Sequence, residues 1–466
     1  MKTEQTNALS GIMNWFGESV LVKLAMIGFL TLLLLIPSVA VQDLIQERQQ
    51  RQDDVIAEIS DKWSGSQVVE GPVMVLPYKT LLSQRDAEGK VTYKEVLSHI
   101  YLLPDVLNME SEAEPEILHR GIFEAVVYNS KIRVNGKFSA LELKKSGIDP
   151  EMIQWDKVMV DIGLSDLKGL KNNPSINLDG TNYNVEPDFN SLKLFSNNLI
   201  ILPDLSTDKK TDLNFRFDLD LRGSSELNFL HLGKTTTVKV QGKWNNPSFT
   251  GRYLPEERNI SDAAFSASWK MPYFNRPFPQ QWVKQNVILN SSKDSILSNS
   301  NATFGVKFKL PVDQYQKTMR TAKYAILIIL LTFLSLFFTE LLTKRKVHLL
   351  QYVLIGVAMS IYYTLLLSFT EQVGFNAAYL IASVATVTLV GSFIAAVLKS
   401  RKPALIFSGI LTGFYGFIFV IIQLQDMALL FASIGLFIMV AIMMYLSTRI
   451  EWNRSGLVEG ADYTGN

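Results

Sequence analysis

Six runs of apolar residues are distributed unevenly along the 466-residue chain: one lies near the N-terminus, and five are crowded into the last third. Each run approaches the roughly 20 residues that a helix needs to cross about 30 Å of hydrocarbon. The runs are apolar on all sides, whereas a core helix of a soluble protein keeps a polar face. They predict membrane-spanning helices at residues 20–41, 324–342, 349–369, 377–398, 404–424 and 428–446.

The short loops between these runs carry positive charge on one side only. Lys and Arg are clustered in the loops at residues 344–346 and 399–402, and two further Arg residues follow the last run. The loops around Glu371 and Gln425 contain neither Lys nor Arg. Because clustered cations stay in cytoplasmic loops, we expect both termini in the cytoplasm. The predicted order is a cytoplasmic segment at 1–19, a first helix at 20–42, a periplasmic domain at 43–320, five helices within 321–448 and a cytoplasmic tail at 449–466.

The first apolar run has two interpretations. Ser38-Val39-Ala40 has the small residues of a signal-peptidase site. The run is longer than a typical signal-peptide core, and a helical pattern continues past the cleavage position, so a retained anchor is favoured. Residues 43–60 prolong this helix outward as a solvated stalk, with a partner-binding coiled segment as the alternative.

Charge and cysteine content exclude several classes of function. A formal charge of +1, from 45 basic and 44 acidic residues, provides no field to attract nucleic acid. The lack of cysteine removes thiolate nucleophiles, disulfides and cysteine metal sites. His99, His119, His231 and His348 do not have metal-ligand spacing. The sequence therefore predicts no metal and no cofactor, with the lipid bilayer as its first partner.

Between the first two runs the pattern changes from helical to alternating. Residues 213–221 and 237–241 alternate apolar and polar side chains, as half-buried antiparallel strands do. Asn135-Gly136 predicts a tight hairpin turn. Further strands are predicted at residues 73–78, 91–103, 122–128, 132–134, 158–162, 264–269 and 304–310. The predicted fold is a membrane protein of α plus β class, whose large, sandwich-like β domain has a second-module boundary at residues 171–184.

The sequence does not predict an enzyme. It contains no Gly-x-Ser-x-Gly and no His-Glu-x-x-His motif. The nearest acid–base pair is His119 with Glu124, but residues five apart on a strand face opposite sides unless a bend separates them.

A recognition surface on the exterior domain is the alternative to catalysis. Its candidate residues are Trp63, Tyr78, Arg120, Gly121 and Tyr273, which combine aromatic rings, an exposed cation and Gly-Pro turns. The competing interpretation is structural, with Trp63 and Tyr78 packed beneath loops and Gly121 chosen for its backbone conformation. If binding occurs here, Arg120 is the expected anchor for an envelope component or a protein partner.

The apolar runs contain few groups that could couple transport. Their central positions are Ser, Thr, Gly and Tyr, such as Tyr415, whereas Glu340 lies near an end with Lys344 four residues later. Gly409 and Gly413 have the spacing of close helix packing. The bundle is therefore expected to seat the exterior domain, and the alternative is a transporter or lipid-handling carrier with a polar path through the helices. The sequence leaves the oligomeric state open.

Short motifs along nearly the whole chain resemble those of the CreD family of bacterial inner-membrane proteins. These motifs include Trp63-Ser-Gly-Ser-Gln67, Arg120-Gly-Ile-Phe-Glu124, Gly163-Leu-Ser-Asp166, Gln280-Gln-Trp282 and Pro311-Val-Asp-Gln-Tyr-Gln316. The resemblance extends to the layout of one helix followed by five. It implies an inner-membrane protein associated with cell-envelope integrity and envelope-stress responses, and it supplies no catalytic residues.

Overall fold

The computed structural model describes residues 20–85, 91–143, 147–188, 194–284, 302–310, 314–343, 345–424 and 427–448. The predicted cytoplasmic segment at 1–19, the tail at 449–466 and Lys344 lie outside the described residues. The chain divides into two compact units, Met1–Arg51 with Val312–Asn466, and Gln52–Pro311. The first unit is helical and the second consists mainly of β-strands, which confirms the predicted fold class.

Long apolar helices form at all six predicted membrane spans. Side chains such as Ile328, Phe333 and Leu336 are buried on one helix whose remaining surface is also apolar, so lipid and protein are both suitable neighbours. The helices are α1 Val20–Leu33, α2 Leu35–Trp63, α3 Gln314–Lys323, α4 Ala325–Thr343, α5 Leu349–Val373, α6 Phe375–Leu398, α7 Arg401–Gln423 and α8 Ala428–Thr448.

The first predicted span is interrupted at Leu34, between α1 and α2. Pro37 has no backbone N–H, and its ring crowds the carbonyl of Leu33 four residues earlier. Beyond the interruption, α2 continues to Trp63. The predicted helical extension of the first membrane span is therefore confirmed.

The strands of the described chain form two sheets. In the nine-stranded sheet the order is β13-β17-β11-β1-β5-β9-β8, with β2 beside β1 and β16 beside β2; these strands are β1 Gln67–Arg85, β2 Val91–Leu102, β5 Met159–Leu164, β8 Glu186–Asp188, β9 Asn198–Ile201, β11 Glu226–Leu230, β13 Pro247–Gly251, β16 Gln281–Lys284 and β17 Thr303–Phe308. In the eight-stranded sheet the order is β14-β15-β12-β3-β4-β10-β6-β7; these strands are β3 Pro104–Arg120, β4 Phe123–Phe138, β6 Ser175–Leu178, β7 Thr181–Asn184, β10 Asn214–Ser224, β12 Thr235–Gly242, β14 Glu257–Ile260 and β15 Phe265–Met271.

Alternation along the strands produces one shared core. On β10, Phe215, Phe217 and Leu219 are buried while the residues between them point outward. A single hydrophobic cluster contains side chains from both sheets. The predicted boundary at residues 171–184 is wrong, because β6 and β7 occupy this stretch and pair within the eight-stranded sheet.

The predicted turn at Asn135-Gly136 is also wrong. Both residues lie inside β4, where Asn135 pairs with Asn108. A Cβ on Gly136 would overlap the carbonyl oxygen of Val106, so this glycine permits close strand approach. The chain turns instead at Gly121, whose φ is 62°.

Candidate functional site

Trp63 is the last residue of α2, and Arg120 contacts the last turns of the same helix. Arg120 Nη1 lies 2.5 Å from Glu58 Oε2, and this hydrogen bond lowers the pKa of Glu58 to about 2. The guanidinium carbon of Arg222 lies 5.4 Å from the centroid of the Trp63 ring. Both predicted residues therefore attach the helix end to the β domain, and Arg120 is already engaged by a carboxylate.

Gly121 forms the turn between β3 and β4, and open space surrounds the position of a Cβ. The turn supplies the bend that a pairing of these residues requires, and it places His119 Nε2 3.2 Å from Glu124 Oε1. The His119 and Glu124 side chains are 64% and 43% exposed. The pair has the surroundings of a surface ion pair, in which water screens the interaction.

Tyr78 is unsuited to an exposed recognition surface. It is 4% exposed and belongs to the hydrophobic core. β1 has a neighbour on both edges here, because Tyr78 pairs with Ser98 of β2 and the chain around Ile153 forms a bridge to it. The structural interpretation of Tyr78 is therefore correct.

Tyr273 is partly exposed, at 38%, beside Phe274, which is 94% exposed. Its ring lies 4.9 Å from the guanidinium carbon of the buried Arg276, which donates a 2.6 Å hydrogen bond to the carbonyl of Leu232. Tyr273 follows β15 near the beginning of β3, whereas Arg120 ends β3. Roughly 40 Å of extended strand separates these positions, so the predicted candidates do not form one surface.

A polar groove occupies the outer face of the eight-stranded sheet. Adjacent strands β14, β15, β12, β3, β4 and β10 align their outward side chains in two rows. The first row is Glu257, Ser268, Lys239, Glu110, Arg133 and Asp218. The second row is Asn259, Ser266, Gln241, Glu112, Lys131 and Asp220. Acidic and basic groups therefore alternate across neighbouring strands.

The groove has a volume of about 690 Å³. A second cavity of about 440 Å³ shares Glu112, Gln241, Asn259 and Ser266 with it. The outward side chains of β15 within the groove are short. The groove is therefore deepest over β15, between the longer side chains of β14 and β12. The two cavities together form an extended concavity of a size that suits a ligand of several chemical units.

Some charges in the groove are shared and others are available. Arg133 Nη1 lies 3.6 Å from Glu110 Oε2, and Arg133 Nε lies 3.7 Å from Asp218 Oδ1. Within the described part of the chain, no hydrogen bond or ion pair engages the ammonium groups of Lys131 and Lys239. The groove therefore presents unused donors beside carboxylate acceptors.

Glu340 is 5% exposed near the end of α4. It forms an ion pair with Lys23 of α1 and accepts a 3.2 Å hydrogen bond from the hydroxyl of Tyr352 on α5. Its predicted partner, Lys344, lies outside the described residues. Glu340 therefore joins three helices, and Lys23 provides the opposite charge that a buried carboxylate requires.

Gly409 and Gly413 lie on an open side of α7, where a Cβ at either position would meet nothing within 4 Å. The prediction that they pack closely against a neighbouring helix is wrong within the described chain. Tyr415 is buried on another side, with its ring centroid 4.8 Å from that of Tyr362. Its carbonyl accepts a 2.7 Å hydrogen bond from the hydroxyl of Tyr379.

A second acid cluster, around Glu371, was not predicted. Glu371 Oε1 accepts a 3.0 Å hydrogen bond from the hydroxyl of Tyr315 and lies 3.9 Å from Arg48 Nε. The clusters of Glu340 and Glu371 each combine a carboxylate, a tyrosine and a cation from the N-terminal helices. Lys23 and Arg48 are separated by about 38 Å of helix, which is comparable with the thickness of a bilayer core and its interface.

Two buried carboxylates of the β domain have different surroundings. Asp161 is 0% exposed, and neither carboxylate oxygen has a hydrogen-bond partner among the described residues. Burial, with the nearby charges of Asp188 and Glu70, raises the pKa of Asp161 to about 8. Burial also raises the pKa of Glu70 to about 7. Both groups therefore retain a proton well above the ordinary carboxylate range.

The sequence did not predict the groove or the Glu371 cluster, and it named Glu340 without its partners Lys23 and Tyr352, for the same reason. The polar positions of β3, β4, β10 and β12 are visible as alternation, but the sequence does not reveal which strands are neighbours. Lys23 and Glu340 are 317 positions apart. One signal was visible in the sequence. Two acids, Glu110 and Glu112, lie at alternate positions of β3, and two cations, Lys131 and Arg133, lie at alternate positions of β4.

Comparisons with known proteins agree with this architecture. A family described as "Inner membrane protein CreD" matches residues 19–453. The chain is also 30% identical over 421 residues to Inner membrane protein CreD of Escherichia coli (strain K12), covering 90% of this chain and 91% of that relative. With six long apolar helices and a match over most of its length, the chain belongs to the CreD family of inner membrane proteins.

Proposed function

We propose that this protein supports cell-envelope integrity and the response to envelope stress by binding, without enzymatic turnover. Its β domain, at residues 43–320, stands in the periplasm and captures an envelope component or a protein partner. The observation that carries this proposal is the polar groove of the eight-stranded sheet, with its volume of about 690 Å³ and its unused ammonium groups. A concave site with convergent polar groups is the usual form of a binding site.

The helical unit supports binding in preference to transport. Its buried acid Glu340 lies near a helix end and is paired with a cation, whereas transport coupling places ionisable groups along a path. The helices also pack closely at two glycines, because a Cβ at Gly356 would overlap Leu34 and one at Gly391 would overlap Ser408. Steady lipid transport or hydrolysis of an envelope substrate by the purified, reconstituted protein would contradict the proposal.

The proposed topology is testable because the chain contains no cysteine. Asn182 on β7 and Arg401 at the start of α7 are exposed positions in the two predicted compartments. In intact cells, a membrane-impermeant maleimide should label the Asn182→Cys variant and spare the Arg401→Cys variant. The reverse pattern would overturn the orientation.

The role of the groove is tested by complementation in a strain that lacks the protein. Ser268→Trp fills the groove floor, whereas Lys270→Trp adds the same ring on the same strand and face but outside the groove lining. We expect Lys270→Trp to restore resistance to envelope-damaging detergent and Ser268→Trp to fail at equal membrane abundance. Full restoration by Ser268→Trp would show that the groove is not the functional surface.

A further inference from the structure

The charge balance of the groove restricts the ligands that it can attract. Its lining carries four cationic and five acidic side chains, interleaved across strands that are about 4.8 Å apart. A polyanion would meet the carboxylates, and a polycation would meet Lys131, Lys239 and Arg258. The groove therefore favours a ligand of low net charge that donates and accepts hydrogen bonds at short, regular intervals.

The shape and polarity of the lining exclude further ligand classes. Ile132, Leu219 and Val240 belong to the buried faces of their strands, and none of the described residues that line the groove is aromatic. An apolar anchor of a bound peptide would therefore find no aromatic pocket, and a lipid chain would meet charged and polar side chains along the whole groove. Peptides that bind through their backbone add to a sheet edge, whereas this groove presents side chains from the middle of a sheet.

Polyhydroxylated chains satisfy both restrictions. Glu110 and Glu112 offer carboxylate acceptors, and O–H groups form short, charge-assisted hydrogen bonds with carboxylates. Lys239 offers its ammonium group to ring and hydroxyl oxygens. The Gln241 amide donates a 3.2 Å hydrogen bond to Glu112 and has a second N–H for a ligand, and Ser268 supplies a group that donates or accepts. Each sugar unit therefore finds both kinds of partner on neighbouring strands.

We propose that the groove formed by β14, β15, β12, β3, β4 and β10 binds an extended envelope glycan of low net charge. This inference rests on the proposed function of the β domain as a binding module. The glycan is held by hydrogen bonds to alternating carboxylate, amide, hydroxyl and ammonium groups, so its binding is less sensitive to salt than an ion-pair interface.

The experiment uses the full chain in lipid nanodiscs and three probes. The first probe is glycan strands released from purified cell walls, freed of their peptides and esterified at the lactyl carboxylates so that they are neutral, and the second is neutral O-polysaccharide separated from the charged core of lipopolysaccharide. These two arms distinguish the sources of the same chemistry. The third probe is a peptide of alternating Glu and Lys, which represents a mixed-charge protein partner.

We expect saturable binding of at least one glycan, changed less than about threefold between 50 and 500 mM salt, since screening acts on charges. The double variant Lys239→Ala/Gln241→Ala should weaken this binding by roughly tenfold or more, the effect of losing one or two hydrogen bonds. Lys270→Ala, on the same face outside the groove, should bind as the wild type does. Equal thermal unfolding of the three proteins excludes misfolding as the cause.

Several results would overturn the inference. They are binding of the peptide alone, no binding of either glycan, or glycan binding that the double variant leaves unchanged. If no glycan binds while Ser268→Trp still fails to complement, the ligand class is wrong and the binding function stands. If Ser268→Trp complements fully, the proposed function itself fails.

Discussion

Glu340 in the helical unit and Asp161 in the β domain are both almost fully buried, yet their surroundings are opposite. Glu340 is paired with Lys23 and accepts a hydrogen bond from Tyr352. Asp161 has no hydrogen-bond partner among the described residues, and its neighbours Glu70 and Asp188 are also acids. Glu340 therefore lies beside a cation, whereas burial among acids raises the pKa of Asp161.

The difference reflects what each unit must hold together. Lys23 and Glu340 belong to helices far apart in sequence, and an ion pair in a low-dielectric region fixes the position of one helix against another. Asp161 lies on the central strand β5, where backbone ladders already fix the register. Its protonation therefore makes the stability of the β domain depend on pH. The stability of the helical unit depends instead on the presence of both Lys23 and Glu340.

The largest effect is expected from breaking the ion pair. Glu340→Ala leaves the Lys23 ammonium without its partner, and removal of one member of a buried pair costs about 3–5 kcal/mol. We expect a loss near the lower figure because the Lys23 side chain is 24% exposed. Denaturant titration of the purified full chain, followed by helical circular dichroism, measures this loss.

The double variant Lys23→Met/Glu340→Leu is the control for this result. It replaces both charges by apolar groups and should recover most of the lost stability, because no uncompensated charge remains. If the double variant is as unstable as the sum of the two single variants, the charges do not act as a pair.

A smaller effect of opposite sign is expected from Asp161→Asn. The pKa of Asp161 in the folded chain, about 8, lies above its ordinary value of 3.8. The folded state therefore holds a proton that the unfolded state releases, so this contribution is fully present below about pH 4 and is lost as the pH rises through about 8. At pH 8 the variant should be more stable by about 2 kcal/mol, since the buried amide, which also lacks a partner, offsets part of the gain.

Tryptophan fluorescence of the full chain measures this change, because Trp155, Trp244 and Trp269 are buried in the β domain. The wild type should lose stability between pH 4 and pH 8, and the variant should retain only the smaller loss caused by Glu70. Asp156→Asn, at an exposed position, should keep the wild-type pH dependence. An unchanged pH dependence in Asp161→Asn would show that Asp161 is ionised in the folded domain.

Local patterns predicted much of the fold. The apolar runs predicted the membrane helices because hydrocarbon requires a helix that is apolar along its whole length. Alternation predicted strands such as β10 and β12 because side chains point to opposite faces of a sheet. Asn135-Gly136 was misread, since a glycine that allows close strand approach has the same local signal as a turn glycine.

The functional surfaces could not be predicted in the same way. They depend on which strands and helices become neighbours, and local patterns do not contain that information. The groove brings together β14 and β10, which are separated by β15, β12, β3 and β4 in the sheet. Single residues chosen for their chemistry, such as Tyr78 and Tyr273, therefore lie at unrelated positions in the fold.

The smallest effect is expected from Arg120→Ala. This variant removes the ion pair with Glu58, which lies at the surface, unlike the two buried acids. Arg120 and Glu58 are 48% and 44% exposed, and water screens such a pair. The hydrogen bond from Arg120 lowers the pKa of Glu58 to about 2, so the pair stabilises the fold above about pH 4.5 and its small contribution is lost as the pH falls towards 2. At pH 7 we expect an unchanged unfolding midpoint and nearly complete restoration of detergent resistance, in contrast to Lys239→Ala/Gln241→Ala. If Arg120→Ala stays folded and fails to complement, recognition occurs at the turn between β3 and β4. The groove is then not the functional surface.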